Sequence, residues 1–216
     1  MQVLINLSND PKQRAWFKDN HRLLEAFLSS NRLDGIELIF HGNDGMNTIP
    51  QKKIKGIHLS YWPTWLDFWR GNQSELLKQF FNQENIELYY GGKTKQVLVS
   101  NYKEELKRAQ RFSPSYMVFH VSHIQMEHVY SWNFTYSDWE VLEASAQLIN
   151  QAFGSTDLGI DLLFENLWWP GLNFLDPELT AKFFQSIEYP RKGFMLDIGH
   201  LMLTRPQLKS EEEACH

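Results

Sequence analysis

Short apolar runs alternate with longer amphipathic stretches along the whole chain, and this alternation limits the fold more than any other feature. VLINLS (3–8), GIELIF (35–40), IKGIHLS (54–60), SYMVFHVS (115–122), IDLLFEN (160–166) and GFMLDIG (193–199) read as six strands. They are apolar on both faces, as strands of a covered parallel sheet are. Helical patterns separate them. Asp10 or Asn9 caps a helix that opens at Pro11 and is expected to reach about Asn31, with Trp16, Leu23, Leu24, Phe27 and Leu28 on one stripe. Ser74 opens a short helix over 74–81, YYGGKT (89–94) reads as a turn, and 101–112 is amphipathic. Ser137 and Glu140 form a capping box at the head of a helix over 137–153. Asp176 caps a helix starting at Pro177, and SEEEACH (210–216) is a capped, acidic first turn. Strand–helix–strand repetition predicts an α/β fold with a parallel sheet. A chain of 216 residues, 43% of them hydrophobic, suffices for one domain over 1–216.

The polar residues stand where such folds build their sites, at the carboxyl ends of the strands. The second strand carries Glu37 and ends at His41, the third ends at His58, and the fourth ends with His120 and His123. The fifth ends with Glu165 and the sixth with Asp197 and His200. Each spacing alone is weak: a lone strand histidine is more often a hydrogen-bonded core residue, and Glu165 with Asn166 equally suits a simple turn. The joint pattern is stronger. Carboxylates and imidazoles converging on one rim suit an oxygen- and nitrogen-ligating divalent ion such as Zn, Mn, Co or Mg. Two carboxylates brought together at a barrel mouth need a cation or a shared proton.

Composition narrows the partners. The formal net charge of −5 argues against a nucleic-acid surface. Eight tryptophans include Trp62, Trp65, Trp69, Trp168 and Trp169 beside turns, placed either to stack on a flat ligand or to pack loops onto the core. Arg70 is either a phosphate contact or a solvated loop arginine. The single cysteine, Cys215, allows no disulfide within the chain. The N-terminal residues do not read as a signal peptide, and no run approaches the roughly 18 apolar residues of a membrane span. A soluble cytoplasmic protein is expected.

IELIFHG, GIHLSYWP, VFHVSH, LLFENLWWPG and FMLDIGHL, in this order, resemble the xylose-isomerase-like TIM barrels, and in particular their sugar phosphate isomerase/epimerase branch. The superfamily also includes apurinic-site endonucleases. The resemblance covers most of the chain and implies specific roles. Glu165 and Asp197 would ligate a divalent metal. His200 would touch substrate, as in the epimerases, or hold a second metal. His58 and His120 match histidines of the multi-metal endonucleases, with His123 competing for the place of His120. Glu37 matches a second-strand carboxylate near the substrate. Trp62, Trp65, Trp168 and Trp169 would form an apolar wall around a sugar-like ligand.

The sequence also departs from that pattern. A full barrel has eight strands, and six are read here. The seventh-strand histidine and eighth-strand glutamate of the epimerase metal site have no counterparts, and His216, in the sixth helix, does not replace the former. The expectation is a TIM-barrel-like chain lacking its C-terminal βα units, whose open edges would favour a homo-oligomer. The reading implied is a metal-dependent sugar (phosphate) isomerase or epimerase moving a proton beside a carbonyl. An endonuclease-like phosphodiesterase and a catalytically incomplete binding module are the alternatives.

Overall fold

The computed structural model describes residues 2–41 and 49–214; Cys215 and His216 lie outside the described residues. Six strands form one parallel sheet in sequence order: β1 (Leu4–Ser8), β2 (Gly35–Ile39), β3 (Ile54–His58), β4 (Tyr116–His120), β5 (Asp161–Glu165) and β6 (Lys192–Met195). Each strand pairs with its sequence neighbours, and among the described residues β1 and β6 each have a single partner. The fold is therefore α/β with a parallel sheet, as the strand pattern predicts, and its open six-stranded order is that of a partial TIM barrel, as the family resemblance implies.

Period two along the strands splits their side chains between two faces. Ile36, Leu38, Ile57, Met117, Phe119, Leu162 and Phe164 point to the helical side and are buried. They share one core with Leu24 and Leu28 of α2 (His21–Ser30), Leu98 and Leu106 of α6 (Gln96–Gln110), Ile149 of α7 (Asp138–Phe153) and Phe183 of α8 (Pro177–Ser186). Burying each such side chain contributes roughly 1.5–3 kcal/mol. The opposite face carries Asn6, Glu37, His58, Tyr116, His120 and Glu165. Register brings these together: Glu37 lies beside Gly56, His58 beside Val118, and His120 beside Glu165.

Several helices differ from expectation for local reasons. The helix expected over 11–31 is two, α1 (Pro11–Ala15) and α2, because Lys18 and Asp19 both take φ of 51° and Asn20 caps the second. Between β3 and α6 lie α3 (Leu66–Arg70), α4 (Gln73–Phe80) and α5 (Gln83–Tyr90). The expected turn at 89–94 overlaps the end of α5, where Gly91 closes the helix at φ 79°. The pattern of α5 is faint because only Ile86 and Tyr90 are buried. The capping box at Ser137 and Glu140 is present as read. β6 stops at Met195, short of the expected Gly199, because Asp197 leaves the sheet to cap α9 (Ile198–Leu203). A short α10 (Glu211–Ala214) follows. Among the described residues no helix is long and apolar enough to cross a membrane.

Candidate metal centre

Glu165, at the last position of β5, is the hub of the polar face. Its side chain is 7% exposed and three histidines surround it. Nε2 of His58 lies 3.9 Å and Nε2 of His120 lies 3.5 Å from Oε2. On the other oxygen, Oε1, Nδ1 of His200 lies 3.3 Å away. His58 and His120 meet edge to face, ring centroids 4.7 Å apart. These contacts follow from register, since β3, β4 and β5 are adjacent and His58, His120 and Glu165 each end a strand.

A second layer holds His58. Its Nδ1 is 2.9 Å from Oε1 of Glu37, and the Tyr116 hydroxyl donates to Oε2 of Glu37 at 2.7 Å. Burial works to raise the Glu37 pKa, but the hydrogen bonds from His58 and Tyr116 outweigh it and the net shift is downward. Burial, and then the hydrogen bond to Glu37, push the Tyr116 phenol far up, so it stays a donor. Both oxygens of Glu37 are thus engaged by protein groups.

Asp197 and His200 come from the turn that ends β6. Oδ1 of Asp197 caps α9 by accepting from the His200 N–H at 2.7 Å, leaving Oδ2 3.6 Å from His200 Nδ1. Asn166, fully buried, anchors the turn: its Oδ1 accepts from the Asp197 N–H at 2.8 Å and its Nδ2 donates to the Asp197 carbonyl at 3.0 Å. The Asn166 carbonyl lies 2.8 Å from His200 Nδ1. A carbonyl only accepts, so this nitrogen carries the proton and Nε2 is the free one. Trp168 packs beside the His200 ring at 5.2 Å and Trp169 lies 4.7 Å from Trp168. Their loop is tied back at Gly171, whose φ of 131° and close approach to the Val121 carbonyl exclude a side chain.

Other expected positions lie elsewhere. His123 is 2% exposed, and its Nδ1 accepts from the Leu66 N–H at 3.2 Å. Desolvation depresses its pKa to about 4. It serves the packing of α3 and stands outside the group around Glu165. Next to it, Asp67 is fully buried and accepts from Asn72, Gln79, Gln125 and Tyr136. Trp62 packs against Tyr102 and lines a cavity of about 10 Å³ behind His120, with Tyr61 and Phe119. His41 reaches Asp10, at 3.5 Å. Arg70 pairs with Glu140 at 3.0 Å and sits over the Tyr136 ring. Tyr116 and Asn166 had no functional role in the sequence reading. Alternation of Tyr116, Val118 and His120 puts the phenol on the histidine face, which is the signal available for it.

The donor set fits a divalent ion in two overlapping ways: His58, His120 and Glu165, or Glu165, Asp197 and His200. Ligands about 2.1 Å from a tetrahedral ion lie about 3.4 Å from one another. The separations of 3.5 and 3.9 Å from Oε2 of Glu165 to the two Nε2 atoms are close to that. In the second set the His200 nitrogen nearest both carboxylates is Nδ1, which donates to the Asn166 carbonyl, and one Asp197 oxygen is taken by its cap. The first set is the better fit.

A parallel sheet running β1 to β6 in sequence order, with polar residues gathered at the strand ends, matches part of a TIM barrel. Among solved structures, the chain is similar to one described as the crystal structure of a D-tagatose 3-epimerase-like protein, with a TM-score of 0.50 and 15% identity. The similarity covers 93% of this chain and 66% of that one, so this chain spans about two thirds of its neighbour's length. No protein-family model and no curated protein matches the sequence.

Proposed function

We propose that residues 1–216 form a single domain of a divalent-metal-dependent isomerase or epimerase that moves a proton beside the carbonyl of a sugar-like polyol. The observation that carries this reading is the convergence of three histidines on the two oxygens of buried Glu165. Nε2 of His58, Nε2 of His120 and Oε2 of Glu165 would hold the ion, with Asp197 as a further candidate ligand. A divalent ion there supplies Lewis-acid polarisation of a carbonyl and offsets the negative charge of an enediolate. The fold likeness to a protein described as D-tagatose 3-epimerase-like supports a sugar substrate.

The chain's own groups divide the remaining work. Oε1 of Glu165, turned away from the His58–His120 pair, is the base that takes and returns the proton. His200, fixed as the Nδ1–H tautomer by the Asn166 carbonyl, presents Nε2 to a substrate hydroxyl as an acceptor. Trp168 shields that side from water. The net charge of −5 weighs against an apurinic-site phosphodiesterase, although the His58–His120 pair is the feature such an enzyme would share.

The test is deuterium exchange beside the carbonyl. The chain is loaded with Mn, Co, Zn or Mg and incubated in D₂O with a panel of ketoses and ketose phosphates, and proton NMR reads the loss of the α-hydrogen signal. Exchange by the native chain, abolished by Glu165→Gln, is expected. No exchange on any substrate from a chain that carries metal would sink the isomerase reading. Cleavage of abasic DNA would then favour the phosphodiesterase, and inactivity in both assays the binding module.

A further inference from the structure

We propose that Glu37 and Tyr116 are positioning residues that fix the ring tautomer of His58, and that Gly56 is the gap through which Tyr116 reaches Glu37. The proposal deepens the metal-centre reading and rests on it.

A carboxylate only accepts hydrogen bonds, so Oε1 of Glu37, 2.9 Å from Nδ1, keeps the neutral ring's proton on that nitrogen. The lone pair is left on Nε2, the atom that faces Glu165. Glu37 is in turn held by the Tyr116 hydroxyl on its other oxygen, so the carboxylate has little freedom to rotate away. Strand register makes the contact possible. Glu37 and Tyr116 sit on β2 and β4, two strands apart, and each pairs with Gly56 of the intervening β3. A Cβ at position 56 would lie 2.3 Å from Cζ of Tyr116, so any side chain there would displace the ring. Metal-ligating histidines are oriented by such outer partners, whose loss weakens metal binding by about 10- to 100-fold. His120 provides the contrast: its buried Nδ1 has no hydrogen-bond partner among the described residues.

The experiment uses ¹⁵N-labelled, metal-free protein. Long-range ¹H–¹⁵N correlation spectra at mildly alkaline pH report which His58 nitrogen carries the proton, and optical titration with Co²⁺ reports affinity. Native protein is expected to show Nδ1–H on His58. Glu37→Leu should shift the proton towards Nε2 and weaken cobalt binding about 10- to 100-fold. Glu37→Gln, whose amide oxygen still accepts, should keep the native tautomer with a smaller loss. Tyr116→Phe keeps the ring in its slot and should weaken binding several-fold; it carries the test if Glu37→Leu does not fold. Nε2–H on His58 in the native chain overturns the proposal. Cobalt affinities for Glu37→Gln and Tyr116→Phe both within about twofold of native also overturn it. A native chain that takes up no cobalt yet holds Nδ1–H on His58 sinks the metal-centre reading and leaves the positioning of His58 standing.

Discussion

The ring of Tyr116 fills the volume that a side chain at Gly56 would occupy, with Cζ 2.3 Å and the hydroxyl oxygen 2.6 Å from where a Cβ would stand. The glycine is needed here for space and not for an unusual backbone angle. Gly56→Ala is therefore expected to push Tyr116 off Glu37 at a cost of about 1–3 kcal/mol, the usual range for overpacking. Urea denaturation measures the cost. A stability equal to that of the native chain would show that the ring moves freely, against the fit described.

Removing the acceptor at Asp67 should cost more. Asn72, Gln79 and Gln125 side chains donate to it at 3.0–3.1 Å and the Tyr136 hydroxyl donates as well, all at a fully buried carboxylate. Asp67→Ala strands these donors, and each one left buried without an acceptor costs about 1–3 kcal/mol. Asp67→Asn keeps one acceptor and should lose less. Equal denaturation midpoints for the two variants would contradict this account.

How much of this was legible in the sequence depended on the range of the contacts. The strands were readable because their apolar runs are local and bounded by turn residues, and α7 because its capping box spans four residues. His58, His120, Glu165 and His200 were readable because strand ends are where an α/β fold exposes polar groups. The pair of Tyr116 with Glu37, separated by most of the first half of the chain, depends on register across three strands, which no local pattern encodes. His123 was legible as a polar residue near a strand end, but its surroundings were not, for the same reason. Its position beside a strand end matches that of a ligand, but the helices between β3 and α6 fold over it, and their packing was not visible in a segment with few periodic apolar residues. Asp197 was placed in β6 because GFMLDIG reads as one apolar run; the aspartate's preference for capping a helix won.

The stability of the chain should fall below neutral pH through His123. Its folded pKa of about 4 lies below its ordinary value of 6.5, depressed chiefly by desolvation. Well above pH 6.5 both states are unprotonated and the histidine contributes no pH dependence. As pH drops through 6.5 the unfolded chain takes up a proton that the folded chain refuses, so unfolding gains. The penalty stops growing near pH 4, where the folded state protonates too, and by then it amounts to a few kcal/mol. His123→Gln, whose amide oxygen can still accept from the Leu66 N–H, should flatten the slope of urea midpoint against pH in this window. An unchanged slope would assign the acid sensitivity to other groups.

Asn166 should prove to be the residue on which Asp197 and His200 both depend. Its side chain closes a two-way hydrogen bond with the Asp197 backbone, at 2.8 and 3.0 Å, while its own carbonyl holds Nδ1 of His200 at 2.8 Å. Asn166→Ala leaves the carbonyl but frees the turn that places both residues: the Asp197 N–H loses its partner, while the Asp197 carbonyl keeps only the bond from the Leu201 N–H. Amide hydrogen exchange separates this local effect from global unfolding. In Asn166→Ala the Asp197 and His200 amides should exchange much faster than in the native chain, while amides of α7 speed up only in proportion to the loss of global stability. Because α9 is short, its cap is most of what holds it, and loosening should spread to Leu201. If exchange at Asp197 and His200 rises no more than in α7, the turn is held by other contacts and Asn166 does not anchor it. Asn166→Asp sharpens the test, since it keeps the acceptor for the Asp197 N–H but turns a carboxylate oxygen towards the Asp197 carbonyl. It should loosen the turn as the alanine does, and more so as pH rises and the new carboxylate ionises.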